Sequence, residues 1–259
     1  MASLESQAEP AVQIEPVDIP AELSDEGYRE GILSFVRRSA RLTEGQKWAW
    51  THLSDAMRID VPRGRSVTSV AEDSEREPAE FFGREARLVV EIGSGQGHAI
   101  VHAAEERPDT NFLAVEVFRA GLARTMGSAH RAGVENVRVV EANAPEVLER
   151  LLPAASIDEL WVFFSDPWPK ARHNKRRLIS PEFAELVARS LKPGGVLRLA
   201  TDWEEYALQM RDVLDAADGF ERNFAGEWDE RFDGRVLTVF ERKGSEAGRD
   251  IRDLSYRLR

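Results

Sequence analysis

Strands and helices alternate in the hydrophobic pattern between residues 87 and 217. Five short apolar runs, rich in β-branched residues and bounded by polar residues or glycines, predict buried strands. These runs are residues 87–92, 111–117, 137–142, 157–164 and 196–201. The stretches beside them have apolar residues at helical spacing, over residues 96–107, 118–132, 145–152, 181–191 and 203–217. Such alternation predicts an α/β fold with a mostly parallel, doubly wound sheet.

Two local signals mark the start and the end of a predicted helix in the C-terminal half. Ser180 suits the N-cap position of a helix and is followed by Pro181, a residue favoured in the first turn. Residues 192–195 read Lys-Pro-Gly-Gly and should end that helix. Further on, residues 220–224 and 235–242 read as two strands with a turn at Gly234. We expect these two strands to form an antiparallel hairpin at the sheet edge.

The first 85 residues have a different pattern. Residues 1–27 are acidic, include three prolines and lack periodic apolar positions, which predicts disorder. Residues 28–51 interleave cations with aromatic side chains, and residues 60–85 read as a loop or linker. We therefore divide the chain into an acidic tail (residues 1–27), a basic arm with its linker (residues 28–85) and one domain (residues 86–259).

Charge and composition narrow the function. The net charge is -11, but residues 1–26 contain seven acids and no Lys or Arg, so most of the excess lies in the tail. A local basic surface for nucleic acid therefore remains compatible with the acidic total. The absence of cysteine excludes disulfides and thiolate metal sites. With neither a signal peptide nor a run of ~20 apolar residues, we expect a soluble cytoplasmic protein without membrane contact.

A glycine-rich loop follows the first predicted strand. Gly93, Gly95 and Gly97 come directly after Glu91, and Glu116 ends the second strand, where it suits ribose hydroxyls. Dinucleotide sites favour a glycine one residue later and a pyrophosphate, which Glu91 would repel. An acid there suits the ammonium of S-adenosylmethionine, so we favour this methyl donor over NAD. Asn143, after the third strand, either hydrogen-bonds an adenine edge or caps the next helix.

The fourth strand leads into the segment FFSDPWPKARHNKRR, residues 163–177. Asp166 can accept hydrogen bonds from a base edge, and Trp168 offers a stacking face or packs in the core. The cations that follow suit phosphates, although a solvated helix entrance would look the same. They are Lys170, Arg172, Lys175, Arg176 and Arg177.

The basic arm offers a second candidate RNA surface. Its cations include Arg37, Arg38 and Arg41, and its aromatic residues include Trp48 and Trp50. The arm either docks its aromatic side chains on the domain or grips the RNA backbone, and both can hold.

Five motifs in this order give a specific resemblance. They are EIGSGQGH, LAVEVFRAG, FFSDPWPKARHNKRRL, LATDWEEYA and TVFERKG. With FVRRSARLTEGQ, they resemble the tRNA (guanine-N7-)-methyltransferase family from about Ser34 to the final residues. The resemblance implies a Rossmann-like class I methyltransferase. Such an enzyme would transfer a methyl group from S-adenosylmethionine to N7 of a guanine in the tRNA variable loop. S-adenosylhomocysteine would be the product, and neither a metal nor an obligatory protein partner is implied.

The resemblance also implies roles for single residues. Glu91, Glu116, Asn143 and Asp166 match donor-site positions, with Asp166 as the catalytic candidate. The positions that match the substrate site are Lys170, Asp202, Thr238, Val239, Phe240 and Glu241. Three residues depart from the family pattern: Asn143 replaces an acid, Ser165 replaces a proline, and Val239 replaces a lysine.

Guanine N7 carries a lone pair in the neutral base, so no strong general base is expected and alignment should dominate catalysis. The alternatives are a methyltransferase acting on another substrate, an NAD-dependent oxidoreductase, or a noncatalytic RNA-binding protein.

Overall fold

One seven-stranded sheet organises the described part of the chain, which in this computed structural model comprises residues 41–236, 241–242 and 248–259. The strands follow the order β3-β2-β1-β4-β5-β7-β6. Strands β1 to β5 pair in parallel, and β7 pairs antiparallel with both β5 and β6. Their bounds are β1 Arg87–Ile92, β2 Thr110–Glu116, β3 Val137–Glu141, β4 Ile157–Phe163, β5 Leu191–Thr201, β6 Phe220–Arg222 and β7 Arg252–Leu258.

Helices cover both faces of this sheet. They are α1 Glu44–Met57, α2 Pro78–Phe82, α3 His98–Glu106, α4 Arg119–Ala132, α5 Ala144–Glu146, α6 Pro181–Ser190 and α7 Glu204–Ala216. A π-helical turn, Val147–Leu151, follows α5, and a 3₁₀ turn, Ala171–Arg176, precedes α6. None of the helices in the described ranges is long and apolar enough to cross a membrane.

Successive residues of β1 show how the two faces are divided. Leu88 and Val90 belong to a core shared with α6 and α7, whereas Val89 belongs to a second core shared with α3 and α4. Because both faces are buried, the central strands are almost continuously apolar, as the hydrophobic pattern indicated. The prediction of a doubly wound α/β sheet is confirmed.

The predicted C-terminal hairpin is wrong in its second strand. Arg235 and Val236 lie outside regular structure, Glu241 and Arg242 are helical, and residues 237–240 lie outside the described ranges. The antiparallel partner of β6 is instead β7, at residues to which we assigned no strand. Its signal is the alternation of Leu254, Tyr256 and Leu258 with polar residues, a period-2 pattern that a short terminal segment presents only weakly.

Helix α1 ties the N-terminal part of the described chain to the sheet. Thr43 caps the helix in a capping box with Gln46, whose side chain also donates to the carbonyl of Ala120 over 3.0 Å. The Trp50 ring lies within cation–π range of two guanidinium groups, those of Arg58 and Arg119. Trp50 therefore docks at the start of α4, whereas Trp48 is 47% exposed, beside His130 in the last turn of α4. The acidic tail, Arg37 and Arg38 lie outside the described residues, and the division into tail, arm and domain stays a prediction.

Candidate active site

The glycine loop forms a tight connection between β1 and α3. Gly93, Gly95 and Gly97 have φ angles of +69°, +56° and +74°, a region that glycine enters without steric cost. A Cβ atom on Gly97 would lie 2.5 Å from the Thr125 hydroxyl oxygen, and one on Gly121 would lie 2.2 Å from the Gly95 carbonyl oxygen. Helix α4 therefore packs directly against the loop, and no larger residues fit at this junction.

Glu91 is a buried carboxylate at the carboxyl end of β1. Burial raises the pKa of Glu91 to about 8, although the backbone N–H of Ile100 in α3 favours the ionised form. Its Oε2 atom is buried and makes no hydrogen bond within the described residues. A buried carboxyl oxygen without a partner is costly, and a cationic ligand beside it would both supply the partner and favour the ionised form. The side chain thus fits a ligand that brings a cationic donor such as an ammonium group.

Glu116 connects the end of β2 to the glycine loop. Its Oε2 atom accepts from the Gly95 N–H over 3.0 Å, and its Oε1 atom accepts from Val117 over 2.7 Å and Phe118 over 3.0 Å. Burial raises the pKa of Glu116, and the negative charge of Asp166 raises it further. The acid after β4 therefore lies within electrostatic range of the acid that ends β2.

Asn143 occupies the N-cap position of α5, but its side chain does not cap the helix. Instead, its Nδ2 atom lies 3.4 Å from Oε1 of Glu146, and its backbone N–H donates to the carbonyl of Thr68 over 2.7 Å. The helix-capping interpretation is therefore wrong for the side chain. Its interaction with an adenine edge stays a prediction.

The turn after β4 has an unusual backbone. Phe164 and Trp168 have φ angles of +54° and +45°, which are sterically costly for residues with a side chain. Asp166 lies exposed midway between them. Trp168 is half-buried, with the His173 ring edge-on at 5.8 Å and the Arg176 guanidinium 5.1 Å from the ring centroid. Such strain persists only where surrounding contacts fix the backbone, and it concentrates at functional sites.

The cations after this turn do not share one environment. Lys170, Arg172, Lys175 and Arg176 are exposed. Arg177 is only 2% exposed, and its Nε donates to the carbonyl of Pro167 over 2.8 Å. Our prediction that Arg177 contacts RNA phosphates is therefore corrected, because the protein itself surrounds its guanidinium group.

Asp202 and Glu241, two further candidate residues, both form ion pairs with arginines. Asp202 follows β5, directly beside the β4 turn, and pairs with Arg249 at 2.7 Å. Glu241 is buried, with Arg231 at 2.8 Å and Arg235 at 3.0 Å. These arginine partners carry no recognisable sequence signal.

Some predicted site residues can be placed only in part. Thr238, Val239 and Phe240 lie outside the described residues. Arg41, the first described residue, is exposed. The described ranges contain no group of three or more His, Asp or Glu side chains placed to hold a metal.

The sheet order, with its antiparallel β7, and the glycine loop between two acids define a class I methyltransferase. A solved structure with this fold is the 16S rRNA methyltransferase KamB, which is 19% identical, with a TM-score of 0.52 over 70% of this chain and 94% of that one.

Sequence comparison gives a narrower assignment. Residues 85–254 match a family model described as "Putative methyltransferase". Two relatives match over most of both chains. The tRNA (guanine-N(7)-)-methyltransferase of Arthrobacter sp. is 44% identical over 93% of this chain and 91% of the relative. That of Aeromonas hydrophila is 41% identical over 90% of this chain and 94% of the relative. The chain belongs to the tRNA (guanine-N(7)-)-methyltransferase family.

Proposed function

We propose that this protein transfers a methyl group from S-adenosylmethionine to N7 of a guanine in the variable loop of tRNA. The products are 7-methylguanosine and S-adenosylhomocysteine. The observation that carries the proposal is the 44% identity to a relative of this name over nearly the full length of both chains. A tRNA substrate is also consistent with the predicted cytoplasmic location.

The residues at the carboxyl ends of β1, β2 and β3 suit the donor. S-adenosylmethionine supplies an electrophilic methyl group on a sulfonium sulfur. The unsatisfied Oε2 atom of Glu91 would accept from its ammonium, and the carboxylate of Glu116 would accept from its ribose hydroxyls. Asn143 would hydrogen-bond the adenine edge. The positive φ angles of the glycine loop leave its backbone open to close approach by this ligand.

The residues after β4 and β5 suit the guanine. Asp166 would accept from the N1 and N2 hydrogens of the base, and Trp168 would stack on it or shape the pocket. Lys170, Asp202 and residues 238–241 would complete the substrate site. Since N7 already carries a lone pair, these residues need to orient the base rather than remove a proton. Such alignment can lower a barrier by about 7 to 11 kcal/mol.

The exposed cations Lys170, Arg172, Lys175 and Arg176 would contact the tRNA backbone. They belong to the same short segment as Asp166. Binding of tRNA phosphates there would therefore bring the variable loop of the tRNA to the turn after β4. The expected affinity is therefore strongly dependent on salt.

The assignment of Asp166 provides the first test. Asp166→Ala should lower 7-methylguanosine formation at least about a hundredfold, since misplacing a reactant costs that much, while tRNA binding survives. Asp109→Ala removes an exposed acid just before β2, at the amino ends of the parallel strands and away from the candidate site. This variant should leave activity unchanged.

Two outcomes would contradict the proposal. Turnover of Asp166→Ala near the wild-type rate would refute the role of Asp166. Donor binding by the wild-type protein without any methyl transfer to tRNA would favour a noncatalytic RNA-binding protein.

A further inference from the structure

Arg176 and Arg177 are neighbours in the basic segment, yet the structure gives them opposite environments. Arg176 is exposed beside Trp168, whereas the side chain of Arg177 is almost completely buried. We propose that Arg177 is a positioning residue that holds the turn carrying Asp166 in its productive geometry. This inference rests on the proposed function, because it assigns Arg177 to the alignment step of that reaction.

The guanidinium group of Arg177 joins the turn to helix α7. Its Nε donates to the carbonyl of Pro167, the residue after Asp166, over 2.8 Å. Its Nη1 donates to Oε1 of Gln209 over 2.6 Å, and its Nη2 to Oε1 of Glu205 over 3.2 Å. Three nitrogens of one planar group therefore reach three acceptors in fixed directions, a geometry that a lysine ammonium cannot reproduce.

The ring of Tyr206 forms the floor beneath this guanidinium. The Arg177 guanidinium carbon lies 5.1 Å from the ring centroid, within cation–π range. The Tyr206 hydroxyl accepts from the backbone N–H of Ile179 over 3.1 Å, and the Ser165 hydroxyl lies 3.4 Å away. Gln209 also donates to the carbonyl of Ile179 over 3.2 Å. Helix α7 thus fixes the chain on both sides of the basic segment.

The turn needs such support because its backbone is strained on both sides of Asp166. Phe164 and Trp168 both have positive φ angles, each placed two residues from Asp166. Strain of this kind persists only when other contacts determine the backbone. Pro167 and Pro169 have no N–H with which to stabilise the turn. The hydrogen bond from Arg177 to the Pro167 carbonyl acts directly on the strained segment.

Conversion of Arg177 to Lys tests this role. The variant keeps the charge but loses the planar set of donors. At saturating donor and tRNA, we expect kcat to fall about tenfold to a hundredfold, since small misplacements of reactants have effects of that size. The tRNA Kd and its salt dependence should stay at their wild-type values.

Arg189→Lys is the matched control, since it makes the same change at an exposed arginine of α6 and should leave kcat, the tRNA Kd and its salt dependence at their wild-type values. Arg176→Ala should instead behave as the loss of a phosphate contact, with weaker tRNA binding and a salt slope that falls by about 1. A loss of tRNA affinity and salt slope in Arg177→Lys, with kcat unchanged, would overturn the proposal by making Arg177 a phosphate contact. A lower Tm in Arg177→Lys with wild-type kcat would also overturn it, because it would reduce Arg177 to a structural role.

Two further measurements keep the test decisive. If Arg177→Lys fails to fold, Gln209→Ala removes one acceptor of the guanidinium and should show the same selective fall in kcat, with smaller size. Hydrogen exchange reports on the turn without any activity: the peptide covering residues 163–170 should exchange faster in Arg177→Lys and not in Arg189→Lys. Unchanged exchange would contradict the role of Arg177 whether or not the protein methylates tRNA. Absence of 7-methylguanosine with the wild-type protein would refute the proposed function separately.

Discussion

The carboxyl ends of β1 and β4 lie side by side in the sheet, and the turns that follow them reach the same kind of backbone geometry with different residues. Both strands end in a sharp turn that requires positive φ angles. After β1, glycines take these angles without steric cost, whereas after β4 Phe164 and Trp168 take them. The backbone geometry of the turn on the donor side is therefore determined by its own glycines, while that of the turn on the substrate side depends on residues further along the chain.

The chemistry of the two ends follows the same division. At the donor end, the buried carboxyl group of Glu91 in β1 and the half-buried carboxylate of Glu116 in β2 accept from backbone N–H groups of α3 and of the loop. At β4, the exposed Asp166 follows a strained backbone whose support comes from Arg177, Tyr206 and Gln209. The donor end is therefore fixed by the backbone, and the substrate end by side chains.

A methyl group on a loop glycine should break the donor end most strongly. Gly97→Ala combines a φ of +74° with a Cβ atom 2.5 Å from Thr125. Left-handed strain and overpacking together should cost about 2 to 5 kcal/mol of unfolding free energy, measured by urea denaturation. Gly93→Ala shares the positive φ but has no neighbouring atom within 4 Å, so it should cost only about 1 to 2 kcal/mol. Equal losses in the two variants would show that packing against α4 is unimportant.

The pKa of Glu91 makes stability depend on pH at the donor end. Because burial raises this pKa to about 8, the folded protein holds a proton that the unfolded chain releases at its ordinary value of 4.5. Stability should therefore fall as pH rises between these values, by about 2 kcal/mol from pH 6 to pH 8, relative to Glu91→Gln. The exposed Glu135→Gln variant should keep the wild-type dependence. A constant difference between wild type and Glu91→Gln across this range would contradict the assignment.

The substrate end should respond to a single hydroxyl on α7. Tyr206→Phe leaves the buried N–H of Ile179 without its acceptor, which should cost about 1 to 2 kcal/mol of stability and also lower kcat. Tyr256→Phe is the matched control, since its hydroxyl donates over 2.9 Å to Asp215, near the other end of α7 from Tyr206. That variant should lose stability with kcat unchanged, so equal effects on kcat would show that the contact between Tyr206 and Ile179 has no special role in catalysis.

The same comparison explains what could be predicted from the sequence. Residues 87–92 form β1 as expected, and Glu91, the glycines and Glu116 meet because they lie at the carboxyl ends of two neighbouring parallel strands. The burial of Arg177 could not be predicted, because an arginine within a run of cations has the pattern of a surface residue. Its partners Glu205 and Gln209 lie on a helix whose packing only the folded chain determines. Residues 235, 236, 241 and 242 were wrongly assigned to a strand because the apolar content of that segment outweighed the weaker alternation in β7.

The most direct test of the central claim is to map a labelled methyl group on tRNA. Purified protein would be incubated with tRNA and deuterium-labelled S-adenosylmethionine, and the modified nucleoside would be located by mass spectrometry. We predict label on N7 of a guanine in the variable loop, abolished in Asp166→Ala. Label on another base or atom, or no label on any tRNA, would contradict the account.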